Sequence, residues 1–229
     1  MTTTVLFDLD NTLANRRQAF DSFTRQFIED FLATSDIGTS SMDNEAALME
    51  TIRIADRNGY RSKRELFQEL LQTLPFKDER VTVRQLLEYW HSEFVHHTTM
   101  MEGAEELLLD LHAQGFRLGL ITNGSVAMQN RKLDQLQLRA YFETVIVSQA
   151  VRLDKPDRRI FELALQRMKV SPQETWYVGD HPVNDVQGAS RAGLRTVWLE
   201  GFEEWPDEII ECPQHTIRQL SELHAWNQW

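Results

Sequence analysis

Two aspartates two positions apart, Asp8 and Asp10, close a short apolar run near the start of the chain. Thr122-Asn123-Gly124-Ser125 follows much later, then Lys155-Pro156, then Gly179-Asp180 with Asn184-Asp185 a turn beyond. Each group but one stands where an apolar run ends, and the run Thr144–Val147 leads through a loop to Lys155-Pro156. Gathered at one place, these residues would bring three to four carboxylates, one hydroxyl and one lysine together. Two unit charges about 4 Å apart repel by roughly 4 kcal/mol at an effective dielectric of 20. Converging carboxylates therefore imply a cation, and an all-oxygen ligand set suits a hard one such as Mg²⁺. A lysine among them neutralises one carboxylate or holds an anionic substrate as a point charge. If the chain stays extended past Asp8, Asp8 and Asp10 share a side. If it turns, one carboxylate and one backbone carbonyl can face the same ion.

The elements that must carry these residues are legible in the periodicity. Thr3 to Phe7 reads as a buried strand ending at Asp8. From about Asn15 to His97 the pattern is helical. Phe20, Phe23, Phe27 and Phe31 recur at three- to four-residue spacing, Ser35 to Ser41 reads as a loop, and helices are expected near Asn44–Arg57, Ser62–Leu74 and Val81–His96. Past Gly103 a helix over Ala104–Gln114 ends at Gly115, a C-cap residue. Strands are then expected at Phe116–Thr122, Thr144–Val147, Thr175–Val178 and Arg195–Trp198. They alternate with helices at Val126–Leu136, Asp157–Met168 and Asn184–Ala192. That alternation predicts an α/β fold with a mostly parallel sheet covered on both faces. In such sheets ligands bind outside the carboxyl ends of the strands, where the polar residues above are placed.

FDLDNT, ITNGS, the lysine of DKPDRRIF and VGDHPVND resemble, in order, the four motifs of the haloacid dehalogenase-like hydrolase superfamily. The resemblance runs from Asp8 to Trp198. It implies a Rossmann-like core, residues 1–15 and 98–229, with an all-helical cap domain, residues 16–97, that closes over the site and selects the substrate. It also implies roles. Asp8 is the nucleophile that becomes an aspartyl phosphate, and Asp10 the general acid and base. Thr122, Asn123 and Lys155 hold the phosphoryl group. Asp8, the backbone carbonyl of Asp10, and Asp180 ligate Mg²⁺, and Asp185 supports the metal's water shell or orients Lys155. Dehalogenase members need neither the second acid nor Mg²⁺, so Asp10 and Asp180 favour phosphoryl transfer. The implied activity is hydrolysis of small phosphomonoesters, nucleotide or sugar phosphates. A phosphosugar mutase, a haloacid dehalogenase and a silent phosphometabolite-binding protein are the alternatives. One departure is local: Arg152 stands where members usually carry a glycine shortly before the lysine.

Other features read more plainly. The phenylalanine stripe has core spacing. His91 and His96 are five residues apart, which splays them on a helix and does not suit zinc. Arg16 and Arg17, beside the expected hinge, offer positive charge to a substrate anion or to solvent. The acidic run Glu200–Glu211 reads as surface, and Cys212 has no base near it in sequence. The 229 residues carry a formal charge of −11, against the basic surface a nucleic-acid polymer requires. No apolar run is long enough for a membrane span. The single cysteine excludes an internal disulfide. Met1 to Asp10 lacks a basic n-region and a cleavage site, so a cytoplasmic protein is expected.

Overall fold

The structure is a computed structural model that describes residues 3–33 and 41–224, the side chains of 41–43 excepted. The chain divides into two compact units, Met1–Asn15 with Thr99–Trp229, and Arg16–Thr98.

The first unit is built on a six-stranded sheet in the order β3-β2-β1-β4-β5-β6. The strands are β1 (Thr4–Phe7), β2 (Arg117–Thr122), β3 (Thr144–Val147), β4 (Thr175–Gly179), β5 (Arg195–Leu199) and β6 (His215–Ile217), and every pairing is parallel. Strands buried on both faces need apolar residues on both, which is why these runs are near-continuously hydrophobic rather than alternating. One face packs Val5, Phe7, Leu118, Leu120, Trp176 and Val178 into one core. The other packs Leu6, Ile121, Ile146 and Tyr177 with Ile160, Phe161 and Ala164. The strand order reverses direction between β1 and β4, and a crevice at the carboxyl ends opens at such a switch point. Asp8 follows β1 and Asp180 follows β4, so both stand at that crevice.

The unit's helices run close to the sequence expectation. They are α5 (Ala104–Ala113), α6 (Val126–Gln135) and α8 (Arg158–Met168), with α7 (Ser148–Val151) and α9 (Gly188–Arg191) each a single turn. Gly115 takes φ +80° directly after α5, as a C-cap glycine should. Ser125 caps α6 and Asp157 caps α8 through side-chain oxygens. The expected helix over Asn184–Ala192 is instead a π-turn, Pro182–Gln187, running into α9. The short β6 follows the acidic segment and was not anticipated.

The second unit contains, among its described residues, α1 (Arg16–Phe31), α2 (Ser41–Asp56), α3 (Lys63–Thr73), α4 (Val83–Glu93), two 3₁₀ turns and one isolated bridge. The expected loop at Ser35–Ser41 lies outside the described residues except for Ser41. The phenylalanine stripe is core: Phe20, Phe23 and Phe27 are buried, and Phe23 meets Trp90 edge to face with ring centroids 4.9 Å apart. Asp56, 1% exposed, receives Arg16 at 2.6 Å and Lys63 at 2.5 Å. The charge of Arg16 is thus engaged inside this unit, whereas Arg17 is exposed.

Candidate active site

The loop after β1 resolves the choice left open by the sequence. The amide of Asp8 still follows the ladder, donating to Val178 O at 2.9 Å. The chain then turns, and Leu9 O accepts from the amides of Thr12, Leu13 and Ala14. Asp8 and Asp10 consequently have different surroundings.

Lys155 is buried among acids. Its Nζ donates to Asp8 Oδ1 at 2.6 Å, to Asp185 Oδ1 at 2.6 Å and to Tyr177 Oη at 2.9 Å. Burial works against the ammonium, yet Asp185 and Asp8 outweigh it and hold the lysine above its ordinary range. The loop that carries Lys155 is fixed from across the sheet end. Asn123 Oδ1 accepts from the Lys155 amide at 2.9 Å and its Nδ2 donates to Lys155 O at 3.0 Å. The side chain of Asn123 therefore positions the lysine. Arg152, shortly before the lysine, takes φ +55°, a left-handed conformation that a glycine adopts without strain.

Asp185 is 1% exposed and uses both oxygens. Oδ1 takes Lys155 and lies 3.2 Å from Tyr177 Oη, and Oδ2 accepts the amide of His181 at 2.9 Å. It reaches this place because residue 179 has no side chain. A Cβ there would lie 2.4 Å from Asp185 Cγ. Asp180 sits beside it, with its backbone oxygen held by Trp198 Nε1 at 2.8 Å.

Asp8, Asp180 and Asp185 bring one oxygen each within 4.8 Å of one another, the one such cluster of potential metal ligands among the described residues. Burial pushes Asp8 up to about 7; Lys155 opposes that and Asp185 reinforces it. Burial, then the charges of Asp185 and Asp8, raises Asp180 well above the carboxylate range. Three buried carboxylates against one lysine leave negative charge that a divalent cation would offset, and the all-oxygen donor set suits Mg²⁺. These residues fit the ion.

The carboxylate of Asp10 does not join that cluster. It meets α6 instead: Lys132 Nζ lies 2.6 and 2.7 Å from its two oxygens, and Gln129 Nε2 lies 2.9 Å from Oδ2. Gln129 also approaches Thr122 Oγ1 at 2.6 Å and Asn123 O at 3.2 Å. Thr122, Asp8, Lys155, Asp180 and Asp185 are all buried, and Asp10 is partly exposed.

Sequence reasoning missed Gln129, Lys132, Tyr177 and Trp198. The two on α6 share a face at i and i+3, but beside Asn130 and Arg131 that spacing reads as an ordinary solvated helix face. Tyr177 and Trp198 lie inside apolar strands, where an aromatic residue signals core before it signals a hydrogen bond.

A six-stranded parallel sheet carries buried acids and Lys155 at its switch point, an α/β site built from strand ends. The chain belongs to the haloacid dehalogenase-like hydrolases, whose family pattern matches residues 5–199. It is 30% identical over 198 residues to the glyceraldehyde 3-phosphate phosphatase of Pyrococcus abyssi, covering 86% of this chain and 80% of that protein. It is also 30% identical over 225 residues to the pyrimidine 5'-nucleotidase YjjG of Escherichia coli, covering 96% and 95%. Among solved structures it resembles the putative hydrolase YfnB from Bacillus subtilis, bound to magnesium, with a TM-score of 0.74, 25% identity and 97% of each chain covered. No helix of the described residues is long and apolar enough to cross a membrane.

Proposed function

We propose that this chain is a Mg²⁺-dependent phosphatase that hydrolyses small phosphomonoesters through an aspartyl phosphate on Asp8. The observation that carries the reading is Lys155 Nζ bridging Asp8 and Asp185 at 2.6 Å each, beside Asp180. A carboxylate must approach a phosphate dianion here, and that needs fixed positive charge.

Asp8, Asp180 and the backbone carbonyl of Asp10 would hold Mg²⁺, which supplies charge neutralisation for the incoming phosphate when bound. Lys155 shields Asp8 from Asp185 and offers its charge to the phosphoryl oxygens, to which the hydroxyl of Thr122 donates a hydrogen bond. Asp8 attacks phosphorus, the ester P–O bond breaks, and Asp10 gives its proton to the leaving oxygen. A water then attacks phosphorus, Asp10 takes the water's proton, and the P–O bond to Asp8 breaks to free phosphate. Asp185 and Asn123 hold Lys155 in place throughout. The two relatives above are named for a triose phosphate and pyrimidine nucleotides, which supports a small phosphorylated metabolite as the substrate.

The test is release of inorganic phosphate from a panel of nucleotide, sugar and triose phosphates, with Mg²⁺ and with chelator. Mg²⁺-dependent release that disappears in Asp8→Asn is expected. Undiminished turnover in Asp8→Asn would end the mechanism.

A further inference from the structure

Lys132 is 4% exposed, and one ammonium spans both oxygens of Asp10. Burying a lysine for an ion pair seldom adds net stability, because desolvation offsets the attraction. An apolar side chain at this buried point of α6 would serve packing better. The pair also joins a helix to the loop after β1, at a carboxylate whose side chain remains 23% exposed, against 8% for Asp8 and 1% for Asp185. A partly exposed aspartate is free to change rotamer unless something holds it. Gln129 supplies a further contact to Oδ2 from the same helix face and reaches Thr122 as well.

We infer that Lys132 is a positioning residue for Asp10: together with Gln129 it fixes the carboxylate for proton transfer to the leaving ester oxygen and from the attacking water. The inference rests on the phosphatase reading above. Orientation of an acid–base group acts on the chemical step, so its loss lowers kcat more than it changes KM. It matters most where the leaving oxygen needs a proton. An alkyl phosphate leaves as a basic alkoxide and depends on the acid; p-nitrophenyl phosphate leaves as a stabilised phenolate and depends on it far less.

The experiment compares glycerol phosphate with p-nitrophenyl phosphate in the wild-type protein, Asp10→Asn, Lys132→Met and the double variant. Lys132→Met is expected to lower kcat/KM on glycerol phosphate by about 10²-fold, within the range general acids contribute. On the nitrophenyl ester its loss should be roughly tenfold smaller. The double variant should lose no more than Asp10→Asn, since Lys132 then has no carboxylate to hold. Lys132→Arg should recover part of the loss. Where Lys132→Met does not fold, Lys132→Gln takes its place and should show the same leaving-group dependence. Equal losses of kcat/KM on both esters, or additive losses in the double variant, would overturn the positioning role while leaving the phosphatase intact. Failure of the wild-type protein to turn over either ester, or full activity in Asp8→Asn, would instead sink the reading on which it stands.

Discussion

Asp185 lies so close to Gly179 that a methyl group on residue 179 would fall 2.4 Å from the carboxylate carbon. The missing side chain is what lets Asp185 reach Lys155 at 2.6 Å. Gly179→Ala should therefore displace Asp185 and cost about 1–3 kcal/mol, the usual cost of overpacking. Activity should fall at least roughly tenfold, since displacements of about an ångström in a positioned group cost that much or more. Urea denaturation and phosphate release check the two halves separately.

Lys155→Met leaves Asp8 and Asp185 buried without their shared cation. Breaking a buried ion pair from one side costs about 3–5 kcal/mol. The midpoint of chemical denaturation should drop accordingly, and Mg²⁺ should recover part of that loss by offsetting the same carboxylates. A midpoint equal to that of the wild-type protein would show that the two acids do not depend on the lysine.

Metal binding should register as stability even without a substrate. An ion that binds only the folded chain adds about 2.7 kcal/mol at one hundred times its dissociation constant. Calorimetry with and without Mg²⁺ should show that rise, and Asp180→Asn should abolish most of it. A shift of equal size in Asp180→Asn would place the ion elsewhere.

Arg152→Gly should stabilise the protein. The left-handed backbone at φ +55° costs a non-glycine residue about 1–2 kcal/mol, and the extra freedom of glycine in the unfolded chain returns about 0.5–1 kcal/mol of that. The net gain of about 0.5–1 kcal/mol corresponds to a Tm rise of about 1–4 °C for a chain of this size. Arg152 is exposed, so little packing is lost. An unchanged or lower Tm would mean that the guanidinium has an offsetting contact.

In the helical unit, Asp56→Ala removes the acid shared by Arg16 and Lys63 and leaves two like charges together. A loss of about 3–5 kcal/mol is expected by urea denaturation. Arg16→Met in the same background should restore part of it.

Much of this arrangement was legible in the chain itself. Apolar runs ending in Asp8, Thr122 and Asp180 announce strands with polar tips, and alternation with helices announces a parallel sheet. What escaped depends on three-dimensional approach. Nothing in the spacing of Gly179 and Asp185 says that the glycine makes room for the acid. Gln129 and Lys132 turn toward Asp10 only because α6 follows β2 and β2 pairs with β1. β6 is three residues long and takes its place by pairing with β5 alone, so its local pattern carries little signal. The sequence pattern suggests an ordinary helix starting at Asn184, but Pro182–Gln187 is a π-turn whose first residues fold around His181, whose Nδ1 accepts the amides of Val183 and Asn184.

β1 lies at the middle of the sheet, with Thr4 opposite Arg117 on one side and Thr175 on the other. During synthesis Asp8 is made before β2 (Arg117–Thr122) and before β4 (Thr175–Gly179), so neither neighbouring strand exists when it emerges. An emerging polypeptide thus carries Asp8 long before it has Lys155 or a partner acid to set beside it. Catalytic competence should appear abruptly, as β4 docks, and no N-terminal fragment should show a fraction of it.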